Sequence, residues 1–239
     1  MKNFKPNSQM PDAYQQFWVL ADNTKMSEKY RIDKNLQYLE IAPLEILRKI
    51  FIQYRFFTHH YIADLAILIS KLPFGELKTI LSDILYEELG SGKSAEAHPI
   101  LYDNFLISIG VSPSKLNQQD FKCLNYLQTI QDSLHRQSWS YGIGLRGMGG
   151  ECLCQIYLAT MHHYFSKNSS IIAIQEKIAW KFWEIHIGEV DLHHQTIVRA
   201  SINDLIIEQP ETTVDLINGY LESLEAWDHY WKQIFKAAK

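Results

Sequence analysis

Apolar residues recur at intervals of three and four along most of the chain, which is the spacing of one buried face of an α-helix. The pattern covers residues 46–68 and, after a Leu-Pro-Phe-Gly break, residues 77–85. Further helical patterns occupy about residues 94–109, 121–134, 149–165, 171–207 and 217–234. We find no alternating strand pattern and no hairpin dipeptide between β-type runs. The chain is therefore predicted to be all-α, a single bundle of seven to eight helices.

The beginning of the chain lacks this periodicity. Pro6, Pro11 and scattered polar residues interrupt it, and a proline removes a backbone donor that a helix interior needs. We therefore expect residues 1–30 to form an N-terminal arm that is partly irregular, and residues 31–239 to form the helical domain.

The composition is that of an ordinary globular protein, with 46% hydrophobic and 21% charged residues. A formal net charge of −4 gives no sign of a nucleic-acid or anionic-membrane surface. The first ten residues have no apolar core typical of a signal peptide, and no segment approaches the roughly 18 uninterrupted apolar residues of a membrane span. Three cysteines are too few for a disulfide framework and indicate a reducing compartment. We expect a cytoplasmic protein without nucleic-acid or membrane partners.

Two ionisable residues lie on predicted buried faces near the middle of the chain. At about 100° per residue, Glu88 falls at the centre of the apolar face of residues 77–85, and His98 falls on the apolar face of the next helix. A carboxylate in such a position costs several kcal/mol unless it is paired or binds a metal. The two residues predict a shared site. The alternatives are a frayed helix end that exposes Glu88 and a histidine that is hydrogen-bonded in the core.

The predicted helix over 171–207 contains a change of phase. Its apolar stripe turns by about 120° between residues 178–183 and residues 197–206, so a regular helix cannot bury both stripes on one side. One extra residue, a π-bulge near residues 188–190, absorbs most of this slip, and such bulges are frequent at functional sites. A simple helix break at Gly188 is the alternative.

The same segment is rich in metal-ligating side chains, and the phase decides which of them face inward. With the bulge, His186 shares a face with Asp191 and His194. Without it, His186 shares a face with Glu189 and His193. Both sets remain open from the pattern alone.

A glycine-rich stretch, residues 142–150, precedes Glu151. It contains a formal GxGxxG match, but no strand precedes it, so we interpret the glycines as close-packing points or a bent helix entry. Glu151 then opens a helix that is apolar almost all round, where either a metal or the helix N-terminus stabilises the carboxylate. Cys152 and Cys154 lack the spacing of a zinc or redox motif and are interpreted as core residues.

Carboxylates and imidazoles on separate inward helix faces suit iron or manganese better than structural zinc or calcium. The chain contains neither the Glu-x-x-His pair of ferritin-like bundles nor a His-Glu-x-x-His zinc motif. These absences exclude both of those architectures.

Three elements resemble the haem-oxygenase-like di-metal oxidases: Glu88-Leu89-Gly90 followed by His98, the glycine-rich lead into Glu151, and the segment from His186 to His194. That superfamily includes CADD-like proteins (similar to the chlamydial protein associating with death domains) and resembles thiaminase II and pyrroloquinoline-quinone synthase C in fold. The resemblance runs from about residue 40 to the C-terminus. It assigns as metal ligands Glu88, His98, Glu151, His186, Asp191 and His194, with Glu189 and His193 as alternatives.

The chain departs from the family pattern at one point, because His186 lies five residues before Asp191 instead of four. The resemblance implies an O2-dependent non-haem oxidase with two iron ions, or one iron and one manganese, that oxidises a small organic substrate such as an amino acid or a fatty acid. No haem is expected, because the first histidines, His59 and His60, lie in the second half of a long predicted helix. A homodimer and an electron donor are the further partners considered.

Five residues near the proposed ligands are candidates for lining a pocket, with core packing as the alternative for the aromatic ones. They are Tyr86, Tyr102, Arg146, Tyr157 and Trp183. Arg146 is a candidate for binding a substrate carboxylate, with a surface ion pair as its alternative. Two other functions remain open: a metal-free enzyme of the thiaminase or quinone-synthase type, with a nucleophile among Cys123, Cys152 and Cys154, and a non-catalytic interaction protein on the same fold.

Overall fold

The computed structural model describes residues 10–118 and 120–238, without the side chains of residues 10–12, 121 and 189–191. These ranges contain thirteen α-helices and no strand, and none of the helices has the length and apolarity needed to cross a membrane. In chain order the helices are α1 (Met10–Leu20), α2 (Asn23–Arg31), α3 (Lys34–Tyr38), α4 (Leu44–Lys71), α5 (Glu76–Glu88), α6 (His98–Ser108), α7 (Phe121–Arg136), α8 (Trp139–Gly142), α9 (Leu153–Phe165), α10 (Ser169–Ile172), α11 (Lys181–Ile187), α12 (Glu189–Glu208) and α13 (Thr213–Ala238). The all-α prediction is confirmed, and eight of these helices have eleven or more residues.

The two longest helices, α4 and α13, form the middle of the bundle. Helix α13 packs against α4, α7 and α8, and α4 also contacts α5 and α6. The core between them is rich in aromatic rings, and Phe51, Tyr102, Phe105 and Trp183 are fully buried in it. Rings of this size supply much of the apolar area that stabilises the bundle.

The described part of the expected N-terminal arm contains two helices. Residues 10–31 form α1 and α2, and α2 begins at a cap in which Asp22 accepts hydrogen bonds from two backbone amides. Phe17 and Ala21 are completely buried. The sequence pattern missed these helices because they are short and each buries only a narrow apolar stripe. Residues 1–9 lie outside the described residues, and the domain boundary at residue 30 stays a prediction.

A ten-residue π-helix, Ile143–Cys152, connects α8 to α9 and packs closely on α13. A Cβ atom at Gly144 would overlap the carbonyl oxygen of Leu216, and one at Gly219 would overlap the carbonyl oxygen of Tyr141. The glycines therefore allow two helix backbones to touch, which confirms their interpretation as close-packing points.

The predicted long helix over 171–207 is wrong, because the structure divides it into α10, α11 and α12. Gly188 is extended (φ −88°, ψ −167°) and separates α11 from α12, so the phase change is a helix break and not a π-bulge. A Cβ atom at Gly188 would lie 2.5 Å from the carbonyl oxygen of Glu184. Glycine is therefore the residue that permits this break, and each apolar stripe is buried by its own helix.

Candidate metal centre

Glu88 and His98 are brought together by the turn between α5 and α6. Glu88 is the last residue of α5 and His98 the first of α6. Gly90 has a φ of +88°, and a Cβ atom there would overlap the backbone of the segment from Lys93 to Ala97. Only glycine fits this left-handed, tightly packed position. As a result, Oε2 of Glu88 lies 3.0 Å from Nδ1 of His98.

His186 approaches the same point from α11. Its Nδ1 donates a hydrogen bond to the carbonyl oxygen of Phe182 at 2.7 Å, and its ring lies 4.7 Å from that of His98. Because Nδ1 carries the proton of this bond, the lone pair of the neutral ring is on Nε2. One ligand atom from each of Glu88, His98 and His186 lies within 4.8 Å of the others.

The electrostatics of this cluster keep His186 and Glu88 in the forms that bind metals. Burial, together with the nearby His98, lowers the pKa of His186 to about 4, so its imidazole is neutral near pH 7. Burial alone raises the pKa of Glu88, but the contacts with His98, His186 and His194 outweigh burial and leave that pKa below its ordinary value. Neutral imidazole and ionised carboxylate are the ligand forms of these side chains.

Glu151 lines the same small cavity, which has a volume of about 30 Å³ and which we call the metal cavity. The hydroxyl of Tyr61 on α4 donates a short hydrogen bond to Oε1 of Glu151. Burial and the neighbouring Glu151 raise the pKa of Tyr61, so the phenol keeps its proton. The metal cavity thus combines two carboxylates and two imidazoles from α5, α6, α11 and the π-helix.

His194 on α12 is buried and pairs with Glu87, its Nε2 lying 3.0 Å from Oε2 of that side chain. Glu87 itself is 42% exposed. His193, one of the alternative ligands, is exposed, because it points about 100° away from its buried neighbour on the same helix. The side chains of Glu189 and Asp191 lie outside the described residues.

Arg146 forms a buried ion pair and is not among the residues that line the metal cavity. Its Nη2 lies 2.6 Å from Oδ2 of Asp64, and their side chains are 3% and 0% exposed. Gln131 donates a hydrogen bond to the same carboxylate. Arg146 therefore forms an ion pair, but this pair lies inside the bundle and not at the surface, where the alternative expected it.

The other four residues expected near a pocket do not line the metal cavity. Tyr86 is 57% exposed, because it precedes Glu88 by two residues and so lies on the far side of α5. Tyr102 is buried and donates a hydrogen bond to the carbonyl oxygen of Phe51. Trp183 is fully buried in the aromatic core, and Tyr157 lines a different cavity near α2.

The walls of the metal cavity include three aromatic residues that the sequence pattern did not assign to a site, and one cysteine that it offered only as a candidate nucleophile. Tyr54, Phe57 and Tyr61 come from α4, and Cys154 comes from α9. The Tyr54 hydroxyl lies 3.5 Å from Sγ of Cys154. The sequence marked the α4 residues as one apolar face, and nothing in a helical pattern separates a cavity wall from core packing.

The donor set fits iron. Two imidazoles and one carboxylate within 4.8 Å form the 2-His-1-carboxylate group that holds non-haem Fe(II) with open coordination positions. The hydrogen bond from His186 to a backbone carbonyl is the outer support that metal-bound histidines usually have. Among the described residues, this is the one cluster of three such ligands.

Solved structures confirm the fold. A CADD-like protein of unknown function from Nostoc punctiforme is 17% identical and superposes with a TM-score of 0.73, covering 94% of this chain and 99% of its own. A TenA homologue from Pseudomonas syringae is 11% identical, with a TM-score of 0.71 and coverage of 98% and 100%. A TenA homologue from Pyrococcus furiosus is 14% identical, with a TM-score of 0.64 and coverage of 91% and 99%.

Sequence comparison gives the family. No curated protein sequence matches the chain significantly. The profile of a family described as iron-containing redox enzymes matches residues 48–228, a range that contains every candidate ligand. The chain, with its haem-oxygenase-like all-α fold, therefore belongs to the family of iron-containing redox enzymes.

Proposed function

We propose that the chain is an O2-dependent non-haem oxidase that holds two iron ions, or one iron and one manganese, and oxidises a small organic substrate such as an amino acid or a fatty acid. The observation that carries this proposal is the meeting of Glu88, His98 and His186 within 4.8 Å inside the bundle. The proposed ligands are Glu88, His98, Glu151, His186, Asp191 and His194. Family membership supports iron as the metal.

Charge balance supports the presence of cations in the metal cavity. Glu88 and Glu151 place two carboxylates in a largely buried space of about 30 Å³, and buried carboxylates are stable only when they are paired or bind a metal. His98 offsets one of these charges when it is protonated. Glu151 and His194 are the residues proposed to help hold a second metal ion.

The chain's own residues have definable roles around such ions. When bound, iron supplies the electrons and the open coordination positions needed to reduce O2. Phe182 fixes the ring of His186 through its backbone carbonyl, and Tyr61 fixes Glu151 and holds a proton at its hydroxyl. Phe57 and Phe182 exclude bulk water from the metal cavity.

The size of the metal cavity limits what enters it. About 30 Å³ holds one or two molecules of the size of water or O2. An amino acid or a fatty acid therefore requires the lining side chains to move when it binds. Movement of α11 about the extended Gly188 is the smallest change that would widen the space beside His186.

The test is metal uptake followed by O2 consumption. Anaerobic loading with Fe(II) should give about two metal ions per chain, and O2 uptake should rise with the correct member of an amino-acid and fatty-acid panel. His98→Ala and Glu151→Ala should lose metal, whereas His163→Ala, an exposed histidine on α9, should keep it. A folded chain that binds no iron would refute the proposal and leave the metal-free enzyme and the interaction protein as alternatives.

One observation favours a second candidate, a metal-free enzyme of the thiaminase or quinone-synthase type. Cys154 lines the metal cavity and lies beside the Tyr54 hydroxyl, whereas Cys123 and Cys152 are buried elsewhere. Full turnover of a thiaminase substrate by chelator-treated protein, abolished by Cys154→Ser, would support this candidate over the oxidase.

A further inference from the structure

A second cavity, which we call the outer cavity, lies at the surface between α2, α3, α9 and α13 and has a volume of about 230 Å³. Its inner wall consists of aromatic rings, including those of Tyr157 and Trp231, which are 3% and 5% exposed. Its rim carries the ion pair between Lys29 and Asp228. Space of this size with flat apolar walls suits a small planar molecule.

Three aromatic rings, which we call the stacked column, join the outer cavity to the metal cavity. The rings of Tyr157 and Trp231 stack with centroids 4.4 Å apart and planes 16° apart. Trp231 stacks in turn on Tyr54, at 5.2 Å and 17°. Tyr157 and Trp231 line the outer cavity and Tyr54 lines the metal cavity, so the column spans the whole wall between them.

The geometry of this column differs from the aromatic packing on the other side of the core. There Phe51, Phe105 and Trp183 meet edge to face, with planes 65° to 77° apart, which is a common arrangement for core rings. In the column every plane is within 17° of the next. Parallel stacking gives overlap between π systems, and tyrosine and tryptophan are the side chains most easily oxidised by one electron.

We propose that the stacked column carries single electrons to the metal cavity from a planar aromatic reductant of the hydroquinone class bound in the outer cavity. This inference rests on the proposed function, because a redox-active metal ion must receive the electron. The charges at the rim favour a neutral ligand, since Lys29 and Lys232 are balanced by Asp33 and Asp228.

The step balances as follows in electrons and protons. The hydroquinone loses one electron and one proton, and the proton passes to water at the exposed rim. The electron would pass through the rings of Trp231 and Tyr54 and reduce one ferric ion to ferrous, while both side chains keep their protons. No bond to the protein forms or breaks, and the Tyr54 hydroxyl stays beside Cys154 Sγ.

The column can be tested in the full-length chain without any metal. A ruthenium polypyridyl photosensitiser is attached to Lys232→Cys, an exposed position next to Trp231. A light flash with an external quencher produces Ru(III), which takes one electron from the protein. We expect rapid recovery of Ru(II), a transient tryptophan radical in the absorption spectrum and a tyrosyl signal by electron paramagnetic resonance.

Redox-silent substitutions locate the electron path. Trp231→Phe keeps an aromatic ring in the core and should slow Ru(II) recovery by about tenfold or more. Tyr54→Phe should leave recovery fast and remove the tyrosyl signal. Trp139→Phe, beside a different cavity near α12, is the matched control and should change neither signal. Thermal melts followed by circular dichroism check that each variant is folded.

Iron-loaded protein tests the role of the outer cavity. Trimethylhydroquinone should reduce the ferric form with saturable kinetics in stopped flow, and Trp231→Phe should slow this reduction by about tenfold. Unchanged Ru(II) recovery in Trp231→Phe, or linear kinetics with trimethylhydroquinone, would overturn the inference. If the chain takes up no iron, the proposed function fails, while the ruthenium experiment still decides whether the column transfers electrons.

Discussion

At the scale of single residues, Tyr61 fixes the second carboxylate of the metal cavity. Its hydroxyl donates to Glu151, and outer hydrogen bonds of this kind contribute about 10–100-fold to metal affinity. We predict that Tyr61→Phe weakens Fe(II) binding by that factor, measured anaerobically by competition with a chromophoric chelator. Tyr164→Phe is the control, because its hydroxyl donates to the distant carbonyl of Arg31. Equal affinities in the two variants would contradict this role of Tyr61.

A second residue-scale effect concerns acid stability. Burial alone raises the pKa of Asp103, but the nearby His59 and the hydrogen bonds from Arg55 outweigh it and hold that pKa below the ordinary 3.8. A carboxyl whose pKa is lowered by folding stabilises the protein above its unfolded-state pKa. The stabilisation should therefore be complete above about pH 5 and disappear as the pH falls through 3.8 and below.

Asp103→Asn tests this dependence. It removes the charge that accepts a hydrogen bond from Arg55 Nη2 at 2.9 Å, so we predict a loss of about 1–3 kcal/mol in the free energy of unfolding at pH 7. The loss should be smaller at pH 3 than at pH 7. Urea denaturation at both pH values measures it, with Asp132→Asn, an exposed aspartate on α7, as the control. A loss that is the same at both pH values would show that the charge is not responsible.

At the scale of residues, helical geometry was enough to predict which ionisable side chains face the interior. Glu88, His98 and His186 were predicted to face inward from their angular positions, and the structure places their ligand atoms together. Their binding of a metal stays a prediction. Tyr61 could not be identified, because an aromatic residue on an apolar face gives the same pattern whether it faces the core or a cavity. For the same reason Cys154 could not be separated from Cys123 and Cys152 as a candidate nucleophile.

At the scale of helices, the contact between the π-helix and α13 depends on glycine. A Cβ atom at Gly144 would overlap the carbonyl oxygen of Leu216, which belongs to a helix backbone and cannot rotate away. We predict that Gly144→Ala lowers the free energy of unfolding by about 3 kcal/mol or more, as measured by urea denaturation. Gly147→Ala is the matched control on the same element, because its Cβ atom would make only an ordinary contact with Ile143 at 3.4 Å. A similar loss in both variants would mean that helix propensity, and not close packing, decides the effect.

At the scale of helices, sequence periodicity predicts some elements of the fold and misses others. Long helices such as α4 and α13 repeat their apolar stripe often enough to be predicted with their approximate ends. The phase change near Gly188 was visible, but a break and a π-bulge shift the stripe in similar ways, and the choice depends on contacts that only the folded chain has. The π-helix over Ile143–Cys152 left no periodic signal, because its glycines carry no side chains to mark a face.

At the scale of the whole molecule, the metal cavity joins parts of the chain that are almost one hundred residues apart. Glu88 ends α5, His98 begins α6, Glu151 lies in the π-helix and His186 in α11. Since these ligands come together only in the folded chain, a metal bound there stabilises the entire bundle and not one helix.

This linkage gives a prediction that does not require a known substrate. Free Fe(II) at about one hundred times its Kd should add about 2.7 kcal/mol to the free energy of unfolding, which corresponds to a rise of about 5–10 °C in Tm for a chain of this length. His186→Ala should lose the rise, since it removes one of the three clustered ligands, whereas Glu176→Gln, an exposed residue between α10 and α11, should keep it. Anaerobic differential scanning fluorimetry with and without Fe(II) measures both. A rise of equal size in His186→Ala would place the bound metal elsewhere on the chain, because His186 is the one metal-ligating side chain of α11 that lines the metal cavity among the residues that the structure describes.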